Sequence, residues 1–228
     1  MSKLLKLSAV FALTLCSLAS HAELQNKEMI NDPYFSDGTI GDEWFQSVGT
    51  SFFRPYTTID GVNRYHWAGG TSPYSAIVLH QNLVKDGGLN ADLIENGFVN
   101  YDMSFYLSSY SGDNDSVAAF IEFYDANNQL VTYNTTGWTS RNTWGQYSLT
   151  GIVPDEAVFS RISFHSQRES GSNNDGFAYA PSLIMSVSDQ NALDTYGSLV
   201  VNSPSLLSAT AFGFLGLAGL AAGRRKKK

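Results

Sequence analysis

Residues 99–107 read V-N-Y-D-M-S-F-Y-L, which puts Val99, Tyr101, Met103, Phe105 and Leu107 on one face of an extended chain. An apolar residue at every second position fits a half-buried strand and not a helix. β-like runs recur at 74–79, 117–124, 130–133, 144–149, 158–164 and 178–187, and no stretch holds a helical period beyond about two turns. Turn formers separate them: Asp125-Ala126-Asn127-Asn128 divides one pair, and Val153-Pro154-Asp155 marks another loop. About eight short strands spaced in this way predict an all-β fold, an antiparallel β-sandwich. The expected domain is 23–187, long enough for one sizeable core.

The two ends lack this pattern. Lys3 and Lys6 precede an apolar run over 7–18, and Ser20-His21-Ala22 places small residues where a signal peptidase cuts. About a dozen apolar residues fall short of the roughly 20 that span a bilayer, so 1–22 reads as an export signal peptide removed before Glu23. Leu15 stands where a small residue precedes a lipidated cysteine, which counts against lipidation of Cys16. With Cys16 removed the mature chain has no disulfide, and its core must supply the stability. At the other end, residues 206–223 are uncharged and Arg224-Arg225-Lys226-Lys227-Lys228 follow. That order predicts a transmembrane helix at 206–223, a basic cytoplasmic tail at 224–228, and the domain outside. Residues 188–205 lose the apolar pattern and read as a linker. The expected location is therefore the cell envelope or the extracellular space.

Between the ends, seven basic residues face 21 acidic ones, a net charge of −14. A surface so acidic excludes nucleic acid, whose phosphates need basic partners. Catalytic signatures are also missing. There is no G-x-S-x-G elbow, no phosphate-cradling glycine motif, and His66, His80 and His165 are far apart in sequence. Asp113 and Asp115 lie in Ser-Gly-Asp-Asn-Asp-Ser, a turn sequence, although paired carboxylates can also do acid–base work. A non-enzyme is expected, with no certain cofactor.

Two resemblances add to this. Val201-Asn202-Ser203-Pro204-Ser205, the apolar segment and the terminal basic cluster resemble PEP-CTERM tails, which exosortase-type proteases recognise. This chain departs from that family in having no Pro-Glu-Pro, only Pro204. The resemblance implies a sorting protease as partner, with Pro204 at the sorting motif and the membrane held through the helix. The second is to galactose-binding-like jelly rolls, the fold of many carbohydrate-binding modules. It is carried by 31–35 with Trp44, which resemble the first strand of such domains, by Arg64-Tyr65-His66-Trp67-Ala68-Gly69-Gly70 and Gln81, and by 102–107 with Asp113 and Asp115. Residues 120–125 and 168–177 complete it. Ala178 and Ala180 stand where related domains carry an acidic residue.

The second resemblance implies a polysaccharide partner and directs attention to rings that could stack on sugar faces. Trp67, Trp138 and Trp144 lie at expected strand ends or turns. For each, the competing reading is a core or sheet-edge residue. Arg168, Asn174 and Asp175 either line a polar pocket or pin a loop. Jelly rolls bring first and last strands together, so Asp32 and Asp37 are expected to approach Asn173 and its neighbours, and a structural calcium is the candidate ion. Two rivals to glycan binding stand: a self-associating matrix protein, and a small hydrolase or lyase using Asp113 or Asp175.

Overall fold

The computed structural model describes residues 25–35, 43–55, 65–110, 112 and 114–201. The signal peptide, Asp37, Asp113, Pro204, the apolar segment at 206–223 and the basic tail lie outside these residues. Among the described residues, no helix is long and apolar enough to cross a membrane.

Eleven strands and two short helices make up the body: β1 Gln25–Glu28, β2 Phe45–Val48, β3 Phe52–Pro55, β4 Tyr65–Gly70, β5 Tyr74–Asn82, α1 Ala91–Glu95, β6 Asn100–Ser109, β7 Ser116–Tyr124, β8 Leu130–Thr135, β9 Gly145–Ile152, β10 Phe159–Gln167, β11 Asn174–Val187 and α2 Gln190–Tyr196. Two sheets form. One is six-stranded in the order β3-β4-β11-β6-β9, with β1 also on β11; the other is five-stranded, β2-β5-β10-β7-β8. Every strand pair is antiparallel. The expected antiparallel β-sandwich is what forms.

The alternation read from the sequence decides which side chains meet between the sheets. In the six-stranded sheet, Phe53, Trp67, Ala178, Leu107 and Gly145 stand in one row across five strands. In the five-stranded sheet, Leu79, Ile162 and Ile121 stand in another. These rows, with Met103, Phe105, Phe123, Phe164 and Leu183, form the buried core. Burying such side chains drives the two sheets together, at about 25 cal/mol per Å² of apolar surface. Asn134 on β8 reaches across one open side, donating from Nδ2 to the Tyr101 hydroxyl at 3.2 Å and to the Thr150 carbonyl at 3.4 Å.

Three features differ from the sequence reading. Residues 31–35 are not a strand: they form a turn after β1, and Phe35 turns inward to stack on Phe53 at 4.5 Å. β2 and β3 are four residues each, too short to show a period. The expected linker is partly a piece of the domain. Asp189 caps α2, Ala192, Leu193 and Leu199 are buried, and the Leu199 N–H donates to Gln25 Oε1 at 2.7 Å. The packed body therefore continues to residue 201. Seven helical residues carry too few apolar positions for a period to be seen.

Candidate functional site

The outward residues of the six-stranded sheet are those left over by the inward rows. Phe52, Ala68, Phe177 and Ser108 form one outward row, Tyr179, Tyr106 and Gln146 the next, and Arg54 faces His66 across β3 and β4. Such a face on a soluble sandwich is ordinarily polar. This one gathers aromatic rings. Trp144, immediately before β9, lies 6.0 Å from Tyr179, 6.3 Å from Phe177 and 5.6 Å from His66, centroid to centroid. Tyr106 lies 6.1 Å and Tyr34 6.2 Å from Tyr179, while His66 meets Phe177 edge-on at 5.2 Å.

Within this cluster the rings differ in access. His66, Phe177 and Tyr179 are nearly covered and form a floor, while Trp144 and Tyr106 are half-buried. Tyr34 and Phe52 are open to solvent at 37% and 41%. Arg54 brings charge: its guanidinium lies 5.2 Å from the Phe52 ring and 5.4 Å from the Phe177 ring. Its Nη2 is 3.5 Å from Asp175 Oδ1, a loose ion pair of which the arginine half is exposed. Planar rings beside a cation and a carboxylate can stack on a ligand and hydrogen-bond to its edge. The described rings of this cluster supply no nucleophile paired with a base.

Of the expected site residues that are described, Trp144 and Asp175 belong to this face. Trp67 does not. It points inward, is 0% exposed and sits in the core row, so it cannot meet a ligand. Trp138 is exposed but belongs to the opposite sheet, 6.3 Å from Tyr74. Arg168 pins a loop: its Nη1 donates to the carbonyls of Thr71 at 3.0 Å and Ser172 at 2.8 Å. Asn174 is buried, with Nδ2 donating to the carbonyls of Ser72 and Ser166 and Oδ1 accepting from the Ser166 hydroxyl. Asp175 is held by a residue first read as part of a turn. Asp115, fully buried, accepts from the N–H groups of Asp175 at 2.7 Å, Glu169 at 2.8 Å and Ser170 at 3.2 Å.

Of the candidate calcium ligands, Asp32 and Asn173 lie among the described residues and Asp37 does not. Asp32 accepts from the Tyr34 N–H at 3.3 Å, and its own N–H donates to Glu43. Among the described residues, Asp32 and Asn173 share no hydrogen bond, and no three His, Asp or Glu side chains cluster around a possible metal. Ala178, in the place of a family carboxylate, points into the core, where an unpaired charge would be costly.

Sequence alone does not single out Arg54, Tyr106, Phe177 and Tyr179, and His66 enters it as one of three widely separated histidines. One signal was available. If Tyr101, Met103 and Phe105 face the core, then Tyr106 must face outward.

No family model matches this chain, and no curated protein matches it. Among solved structures it is similar to the CBM22-1 xylan-binding domain of Paenibacillus barcinonensis Xyn10C, with 11% identity and TM-score 0.47, covering 73% of this chain and 97% of that one. It is also similar to TmCBM61 in complex with β-1,4-galactotriose, with 12% identity and TM-score 0.48, covering 69% and 97%. A third likeness is to the enzymatically active domain of tailspike protein 4 from bacteriophage CBA120, with 14% identity and TM-score 0.47. It covers 68% of this chain and only 21% of that one. Likenesses this distant carry neither ligand nor activity across.

Proposed function

We propose that the protein is an exported, non-catalytic glycan-binding protein that holds an uncharged polysaccharide against the outer face of its six-stranded sheet. The observation that carries this is the aromatic cluster of Trp144, Tyr106, Tyr179, Phe177, Tyr34 and Phe52 on a face that solvation alone would make polar. A pyranose ring has an apolar C–H face and a polar rim. The rings suit the first, and Arg54, Asp175 and the Gln146 and Ser148 positions suit the second. The net charge of −14 between the signal peptide and the apolar tail turns away acidic polymers. The xylan-binding and galactotriose-bound domains are named for the same ligand class, but the aromatic face supports the proposal without them.

In this reading, residues 1–22 direct export and 206–228 hold the protein at the envelope, for sorting near Pro204 or as a lasting anchor. The test is affinity electrophoresis of the full chain through gels containing xylan, β-1,4-galactan or neither, with calcium and again with chelator. Retardation in the polysaccharide gels is expected, with Trp144→Ala weakening binding at this face by roughly 30-fold, about 2 kcal/mol. Folded protein that migrates identically in every gel would sink the proposal. Loss of retardation in chelator would add a cation to it.

A further inference from the structure

The outer face of the five-stranded sheet is also aromatic, and the site above makes no use of it. Its outward rows run across β5, β10, β7 and β8: Val78, Ser163, Phe120 and Thr135; then His80, Arg161, Glu122 and Tyr133; then Asn82, Phe159, Tyr124 and Leu130. Two ring clusters result. His80 stacks on Phe159 at 5.2 Å and meets Tyr124 edge-on at 6.4 Å, with the Arg161 guanidinium 5.1 Å from the Tyr124 ring. Nearer the other end of the sheet, Trp138, Tyr74, His165 and Phe120 follow one another at 6.3, 5.8 and 4.7 Å. Tyr133 and Trp138 are open to solvent at 59% and 47%. Exposed rings gathered on one sheet face in this way mark an interaction site.

Charge and polarity select the occupant. The only charged pair in these rows is Arg161 with Glu122, joined twice, Nε to Oε2 at 2.5 Å and Nη2 to Oε1 at 2.9 Å. The pair cancels itself, so the face is neutral on a strongly acidic molecule, and neither a cationic nor an anionic ligand is selected. Polar groups open to solvent stand among these rings, the His80 imidazole and the Tyr133 hydroxyl, with Asn82 half-buried beside Phe159. A face made to pack on a second copy would need far fewer of them, whereas a sugar polymer uses both kinds of group.

We propose that this face is a second glycan platform, independent of the first, so that one molecule holds two uncharged polysaccharide chains on opposite sides of the sandwich. The proposal rests on the glycan reading of the first face, and the test separates the two. Full-length protein is titrated with xylohexaose and with β-1,4-galactotriose, and the number of sites per chain is counted, with circular dichroism as a check on folding. Two sites are expected in the wild type, one in Trp144→Ala, one in the Tyr133→Ala/Trp138→Ala double variant, and none in the triple variant. A single site abolished by Trp144→Ala alone overturns the second platform and leaves the first reading intact. A single site abolished only by the double variant overturns the first reading and the two-chain claim together. No binding to either probe sinks both. A double variant that turns a dimer into a monomer while binding stays unchanged would assign the face to a second copy and overturn the proposal.

Discussion

Asp115 shows how one residue type can be read in two ways. In sequence it belongs to a turn; in the fold its two oxygens hold three backbone N–H groups of the segment leading into β11. Asp115→Ala would take this acceptor from all three donors, of which the Asp175 N–H is buried, at a cost of about 3 kcal/mol, read as a lower urea midpoint. His165 makes a second prediction. Burial pushes its imidazole below the ordinary histidine value, with Glu122 acting to raise it and Arg161 to lower it. Tyr74, whose own hydroxyl is raised by burial, bonds Nδ1, and Ser163 Oγ lies 2.8 Å from Nε2. The unfolded chain therefore takes up the proton at a higher pH than the fold does. The contribution is fully present above about pH 6.5 and is lost as pH falls from there through the lower folded value. The stability profile of wild type should bend downward in that window, and His165→Asn should flatten the bend.

Strands were legible because one buried face leaves a period of two in a single run of residues. What each strand faces was not, because the face depends on partners far away in sequence. Trp138 and Trp144 are six positions apart and lie on opposite sheets, while Arg54, Tyr106 and Tyr179 come from β3, β6 and β11 and share one. Trp67 was misjudged for the same reason: Tyr65-His66-Trp67-Ala68 does not reveal its parity until β11 pairs with it. Backbone demands are local and test the elements directly. Gly70 ends β4 at a φ of 79°, and a Cβ there would lie 1.7 Å from the Thr50 carbonyl oxygen. Gly70→Ala must move backbone, so a loss of about 3 kcal/mol or more in thermal or urea unfolding is expected. Ala180 is the converse case, a non-glycine at a φ of 49° where β11 shifts register between Tyr179 and Ser182. Ala180→Gly should raise stability by up to about 1 kcal/mol by relieving the left-handed strain.

At the scale of the whole molecule, both exits of the packed body lie at one end. Gln25 pairs with Val187 and also accepts from the Leu199 N–H, while Leu89 bridges to Val200. Tyr179, at the centre of the first aromatic face, is eight residues along β11 from Val187, roughly 25 Å at the rise of a strand. A tail running from residue 202 into a membrane would then hold the domain with the Tyr179 ring cluster turned away from the bilayer. Two truncations separate the tail from the fold. Ending the chain after Val201 keeps every described residue of the packed body, so the unfolding midpoint and glycan retardation should be unchanged while the protein is released from the envelope. Ending it after Val187 removes α2 and Leu199, and with them Ala192, Leu193 and Leu199 from the core. At about 2–5 kcal/mol for each buried leucine, that loss is comparable with the entire stability of a domain, and the shorter chain should fail to fold. If it unfolds as cooperatively and at the same temperature as the longer one, residues 188–201 are a linker after all. The second half of the prediction is topological: labelled xylan or β-1,4-galactan should decorate intact cells carrying the full chain. Cells that bind the label only after disruption would place the rings against the membrane and refute the orientation.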